Sequence, residues 1–187
     1  GIQQGDNLFL LNKYEIYESI LEKLPYVSSV SISRKLPDTL LIEVTDSNQG
    51  GVIEDHGTYW VLSAEGKILG KRAEAGHGAL ITGLTLSEPE VGKKAAVEEG
   101  QERALKQLLD LLAALEEKGM LQGVGSFDFS QESVISIKYA DRYVVKFPYG
   151  ADFPYKLTRL SQVIEQGDQR AGVLDLTAEG EIHFIPD

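Results

Sequence analysis

The side chains that could do chemistry in this chain are few and scattered. Its three histidines, His56, His77 and His183, lie far apart, and it has no cysteine. Glu54-Asp55-His56 carries oxygen and nitrogen donors side by side. Adjacent residues on a turn more often form a solvated loop than a metal site, and no second ligand cluster joins them. His77 stands between Gly76 and Gly78, which also reads as loop. The lack of cysteine removes disulfides, thiolate metal sites and a thiol nucleophile. There is no Gly-x-Ser-x-Gly elbow, no phosphate-cradling Gly-x-x-x-x-Gly-Lys and no Gly-x-Gly-x-x-Gly. Ser, His and Asp all occur, so folding could assemble a triad, but nothing in the sequence prefers one set. Glycan hydrolysis would need a carboxylate pair, and no pair is singled out. The chain reads as non-catalytic, with no cofactor and no metal.

Binding is the better reading. Glu181-Ile182-His183-Phe184-Ile185 alternates and ends the chain before Pro186. A terminal strand can leave N–H and C=O groups unpaired at a sheet edge, where a partner can add a strand. On the residue pattern alone, a plain terminal strand blunted by Pro186 is the simpler account. The net charge of −11 disfavours nucleic acid, whose phosphates require Lys and Arg, and also disfavours unaided binding to an anionic membrane surface. A basic partner patch would be attracted at long range, although the charge can equally serve solubility.

The elements that would position such an edge follow from periodicity. Asn12 can cap a helix, with Glu15 placed to reach back to the cap's own N–H, and with Leu11 and Ile16 at staple spacing. Ile16, Ile20, Leu21 and Leu24 form its apolar stripe, and Pro25 ends it. From Val30 the period becomes two. Val30 and Ile32 face one way, a turn follows at Leu36-Pro37-Asp38-Thr39, and Leu40, Ile42 and Val44 return as a second strand. A helix laid on this hairpin would bury both apolar faces.

Ser47 to Gly51 reads as a polar, Gly-rich loop and a domain boundary. A hairpin follows over Thr58–Leu62 and Lys67–Leu69, with Gly66 at positive φ in its turn. A short apolar segment covers Ala79–Leu84, and Ser87–Ala96 is irregular. A helix is predicted from about Val97 to Lys118. Its stripe is Leu105, Leu108, Leu109, Leu112 and Leu115, for which core burial is favoured over a partner seam, and Gly119 stops it. Strands are predicted at Ser126–Phe129, Val134–Tyr139 and Tyr143–Phe147, then a helix from about Pro154 to Gln166, with Asp152 near its start and Gly167 at its end. A last hairpin covers Gly172–Leu176 and Glu181–Ile185. Its Thr177-Ala178-Glu179-Gly180 turn echoes Ser63-Ala64-Glu65-Gly66. The fold class is α+β: a helix on a small sheet, then a mixed β domain with a long helix and antiparallel hairpins.

Asn7-Leu8-Phe9, the helix, Leu24-Pro25-Tyr26-Val27 and the run Val30 to Val44, with Arg34-Lys35-Leu36-Pro37-Asp38-Thr39-Leu40 as its specific part, resemble a POTRA domain. In particular they resemble that of the FtsQ/DivIB bacterial cell-division family. Leu174-Asp175-Leu176, a Gly-containing turn and a short strand ending in proline is similar to the way the family's β domain closes. The resemblance implies a POTRA domain at residues 1–48 and a β domain at 49–187. It also implies a non-catalytic scaffold at the division septum, outside the membrane and anchored by a single upstream transmembrane helix. No apolar run here approaches the roughly 20 residues that a span needs. The chain starts at Gly1 rather than Met and is expected to be a fragment lacking that helix and the first POTRA strand. The partners implied are FtsL and FtsB/DivIC, whose coiled coil would be received by the last strand and the helix near it, docking by strand addition on Glu181, Ile182, His183, Phe184 and Ile185, with Thr177 at the approach. Thr177 and Ala178 are not aromatic and the last strand has no Trp, unlike the best-studied members, which leaves Phe184 as the candidate anchor. The alternative is a POTRA-type chaperone or docking module of a secretion or outer-membrane assembly system. Such modules tend to occur in tandem, and one helix–hairpin unit is visible here.

Overall fold

The computed structural model describes residues 11–35, 37–166 and 170–187. Expectations that fall on Gly1–Leu10, Leu36 and Gly167 lie outside them. Helix α1 spans Lys13–Lys23, capped by Asn12, whose Oδ1 accepts the Tyr14 N–H at 3.1 Å. Glu15 accepts the Asn12 side-chain amide at 2.8 Å, and so steers the capping oxygen toward the helix. Leu24 closes the helix with its N–H on the Ile20 carbonyl, one residue before Pro25.

Strands β1 (Val27–Lys35) and β2 (Thr39–Asp46) form a two-stranded antiparallel sheet pairing Val30 with Val44 and Ile32 with Ile42. β1 starts earlier than its periodicity suggests, because a bulge between Val27 and Ser29 breaks the alternation. Ser28 Oγ donates to the Thr45 and Asp46 carbonyls there. Burial in this unit is weaker than the sequence leads one to expect. α1 has no buried residue, while Leu24 is 50% exposed and Val44 53%. A helix of three turns and two strands offer too little surface to shield each other.

Residues Gln49–Asp55 form strand β3, not the loop expected at Ser47–Gly51. Gly50 and Gly51 serve close approach here rather than chain flexibility. A Cβ on Gly51 would sit 2.6 Å from Ile81 Cδ1 and 2.8 Å from the Ala79 carbonyl. β3 turns through His56 (φ 49°) and Gly57 (φ 76°) into β4 (Thr58–Ser63), which pairs antiparallel with β5 (Ile68–Arg72). Gly66, at φ 82°, makes the β4–β5 turn.

Strand β6 (Leu80–Thr82) lies parallel to both β3 and β7 (Val124–Asp128). Helix α2 runs over Glu102–Glu117, starting later than the predicted Val97. Val97 is held extended by a bridge to Leu86, and Gly100 at φ 91° cannot be helical. Strands β8 (Val134–Tyr139) and β9 (Tyr143–Pro148) form the expected hairpin. Helix α3 (Phe153–Gln166) begins with the Tyr155 N–H on Asp152 Oδ1 at 3.1 Å. It crosses to β10 (Gly172–Asp175), which lies parallel to β9, and β11 (His183–Pro186) returns antiparallel to β10. The nine-stranded sheet has the order β11-β10-β9-β8-β7-β6-β3-β4-β5.

One row of side chains crosses this sheet in register: Trp60, Ile53, Ile81, Phe127, Ile137, Val145, Leu174 and Phe184. From Ile53 to Leu174 every member is at most 2% exposed. Leu108, Leu111, Leu112 and Leu115 of α2 and Phe153, Leu157 and Leu160 of α3 belong to the same core. The next row along the strands faces the other way and is polar: Thr82, Asp128, Ser136, Lys146, Asp175 and His183.

The helix–hairpin unit meets the large sheet at several bonds. The Ser47 N–H donates to the Tyr26 carbonyl at 2.7 Å, and the Ala64 N–H to that of Asn48 at 3.0 Å. Lys67 Nζ lies 3.4 Å from the carbonyls of Leu21, in the last turn of α1, and Val27. A cation at a helix C-terminus also meets the negative end of its dipole. Gly70 faces the Tyr26 hydroxyl, which a Cβ would approach to 2.9 Å.

Two outcomes test this account. Gly51→Val should destabilise the protein by about 3 kcal/mol through overpacking against Ile81; an unchanged denaturation midpoint would put the strand elsewhere. Lys67→Met should broaden the distance distribution between spin labels on α1 and α2. An unaltered distribution would mean that other contacts set the angle between the two units.

Candidate binding edge

The two edges of the nine-stranded sheet are treated differently by the chain. At the start of β5, the following segment supplies backbone partners. The Ile68 N–H donates to Lys93 O, and the Gly92 N–H donates to Ile68 O, each at 2.8 Å. The Ala95 N–H donates to Gly66 O at the same distance. Along β11, among the described residues, the strand pairs on one side only, with β10.

The bonding pattern identifies which groups point outward. The Asp187 N–H donates to Ala171 O at 3.3 Å. Bonded pairs alternate along an antiparallel ladder, so Val173–Ile185 and Asp175–His183 are the next two. The N–H and C=O of Phe184 therefore aim away from β10, where no described strand lies. Pro186 offers a carbonyl but no N–H. A short, partly donor-free edge of this kind limits indiscriminate pairing.

The side chains divide between two faces. Phe184 pairs with Leu174 and is half-buried at the rim of the core, with the Arg170 guanidinium 6.0 Å from its ring centre. Ile182 also packs at that rim. His183 and Ile185 are on the open face; Ile185 is 56% exposed, beside Val173 and Val144 in register. Glu181 is exposed, with Oε2 3.4 Å from His183 Nε2. Thr177 sits at the far end of the connection, its N–H and Oγ1 both donating to Asp175 Oδ1, at 2.8 and 2.6 Å.

The structure thus brings Ile182, His183, Phe184 and Ile185 to one edge, with Glu181 beside them and Thr177 back at the end of β10. It departs from the sequence reading in one respect. The strand was expected from Glu181, and it begins at His183. Residues 176–182 form a longer connection than a four-residue turn, although Gly180 (φ 77°) resembles Gly66. The cause lies in α3. Lys156 Nζ donates to Leu176 O at 2.6 Å and to Ala178 O at 3.3 Å, and Arg159 Nη2 donates to Gly180 O at 3.4 Å. These two cations carried no signal in the sequence, where they read only as the polar face of an amphipathic helix.

Charge around the connection is compensated. Burial pushes the Asp175 carboxyl up, but the bonds from Thr177 and the charges of Lys146 and His183 outweigh it and hold its pKa below the ordinary value. The other histidines stay apart from this edge. His56 is fully exposed and bonds Asp55 at 3.1 Å, which raises its pKa. His77 is exposed on its glycine-flanked loop beside an open groove of about 650 Å³, lined also by Gln49, Glu116 and Gln122. Among the described residues no three His, Asp or Glu side chains cluster as a metal site. No described helix is long and apolar enough to cross a membrane.

Comparison with known proteins gives a consistent result across the chain. Residues 1–46 match the POTRA domain, FtsQ-type. Residues 51–177 match Cell division protein FtsQ/DivIB, C-terminal. Cell division protein FtsQ of Geotalea daltonii is 29% identical over 187 residues, covering 94% of this chain and 62% of that protein. Cell division protein DivIB of Clostridium botulinum strain Hall is 27% identical, covering 98% of this chain and 72% of the relative. The chain therefore spans under two thirds of the first relative's length and rather more of the second's. Among solved structures, the major extracytoplasmic domain of the cell-division protein DivIB from Geobacillus stearothermophilus aligns at 13% identity and a TM-score of 0.40, over 64% of this chain and 92% of that one. On the sequence matches, which together cover most of its length, the chain belongs to the FtsQ/DivIB family of cell-division proteins.

Proposed function

We propose that this chain is the extracytoplasmic binding region of a membrane-anchored division protein, and that it is a scaffold rather than a catalyst. Residues 1–48 act as the POTRA domain and 49–187 as the β domain. The β domain receives the FtsL and FtsB/DivIC coiled coil by strand addition along β11, at the septum where wall synthesis is activated. Thr177, Glu181, Ile182, His183, Phe184 and Ile185 form the contact.

The observation that carries this reading is the open edge at β11, in contrast to the start of β5, where the chain itself bonds the outward groups of Ile68. Strand addition requires outward N–H and C=O groups and side-chain footholds on alternate faces. Phe184 supplies the outward backbone pair, Ile182 and Phe184 the inner foothold, and His183 and Ile185 the outer one. Half-buried Phe184 is the natural anchor, because it has apolar surface left to bury at the end of the core row. The net charge of −11 and the basic side chains of α3 beside the edge favour partners of mixed charge over a polyanion.

The test is calorimetric titration with a soluble FtsL–FtsB/DivIC extracytoplasmic heterodimer. Intact protein should bind, and a form truncated after Gly180 should not. Phe184→Ala, which keeps the strand, should weaken binding at least about tenfold, on the order of 1.4 kcal/mol, with an unchanged circular dichroism spectrum. Undiminished binding by both variants would remove the site from β11 and direct attention to the helix–hairpin unit.

A further inference from the structure

The connection between β10 and β11 has a feature that strand addition alone does not require. Three alternate backbone carbonyls, those of Leu176, Ala178 and Gly180, are held from one side by two cations on successive turns of α3. Lys156 takes the first two and Arg159 the third. From the β10 end, Asp175 holds the N–H and hydroxyl of Thr177. The connection is thus fixed from both sides by charged groups, although Ala178, Glu179 and Gly180 are exposed and make no core contact.

This matters because β11 is short. It has four residues, pairs on one side, and enters the sheet through this connection. A four-residue edge strand on a loose tether would fray, since each residue released gains conformational entropy. A frayed strand presents the outward groups of Phe184 only part of the time, and apparent affinity falls by that fraction.

We infer that Lys156 is a positioning residue for the binding edge: by bonding the Leu176 and Ala178 carbonyls it keeps β11 docked on β10 before any partner arrives. The inference rests on the strand-addition reading for its functional consequence, but its structural half stands in the free protein. The Lys156 side chain is half-buried and its ammonium is spent on backbone carbonyls, so it acts through the connection rather than by touching the added strand. Arg159 divides its guanidinium between Gly180 and the Tyr155 hydroxyl, at 3.4 and 3.0 Å, and supports the same connection more weakly.

The experiment compares Lys156→Met, which keeps the apolar stem and loses the donors, with Lys156→Arg, which keeps the charge. In the free protein, amide exchange at Thr177, His183 and Ile185, whose N–H groups are bonded, should quicken at least tenfold in Lys156→Met, while α2 amides keep their protection. Association with the FtsL–FtsB/DivIC heterodimer should slow several-fold with little change in dissociation. Lys156→Arg should restore both. Unchanged exchange at the edge in Lys156→Met would overturn the inference. So would faster exchange throughout α2, which would make the lysine a general stabiliser, and so would a local quickening with unaltered association. If the wild-type chain itself fails to bind the heterodimer while Lys156→Met still quickens edge exchange, the positioning role stands and the partner reading falls.

Discussion

The structure depends on one row of apolar side chains that crosses the large sheet without interruption. Ile53, Ile81, Phe127, Ile137, Val145 and Leu174 come from six different strands, and parallel and antiparallel pairings alike keep them in register. Packing α2 and α3 on this row buries it almost completely. Register is fixed by that burial, because a slip of one residue would bring the polar row of Asp128, Ser136, Lys146 and Asp175 under the helices. The cost of burying those charges unpaired would far exceed any gain from alternative pairings.

The edges follow from the ends of this row. At the β4 end it finishes in Trp60, and the sheet continues to β5, where residues 92 and 93 bond the outward groups of Ile68. At the other end it finishes in Phe184, and nothing further in the described chain lies beyond. The half-burial of Phe184 is thus a property of position in the row rather than of the residue. The helix–hairpin unit has no comparable row. Ile42 and Val44 are exposed, and its attachment relies on polar contacts such as those of Lys67.

Local signals with one physical cause were legible in the sequence. Asn12 capping α1, Gly66 turning β4 into β5, the β8–β9 hairpin and the stripe of α2 all rest on short-range geometry. The misreadings share a different origin. Gly50 and Gly51 resemble a flexible loop in sequence, and only the proximity of Ile81 and Ala79 reveals that they are needed for close packing within a strand. Val97 looks helical until its bridge to Leu86 is known. The start of β11 was misplaced because the grip of Lys156 and Arg159 on the connection spans about twenty residues of sequence. The edge could be anticipated from the family resemblance, but the residues that hold it in place could not.

The segment bonded to the start of β5 has a consequence for how far this sheet can grow. A sheet open on both sides can recruit strands in both directions, and assembly then propagates into a fibre. Here the first residue of β5, Ile68, is already bonded on its outer side, so a strand added there meets an occupied start. One second copy paired on β11 across a two-fold axis would leave the two β5 edges at the ends of the joined sheet, each with the outward groups of Ile68 already bonded. The segment at 92–95 therefore hinders growth of the large sheet past the start of β5, at the opposite end from β11.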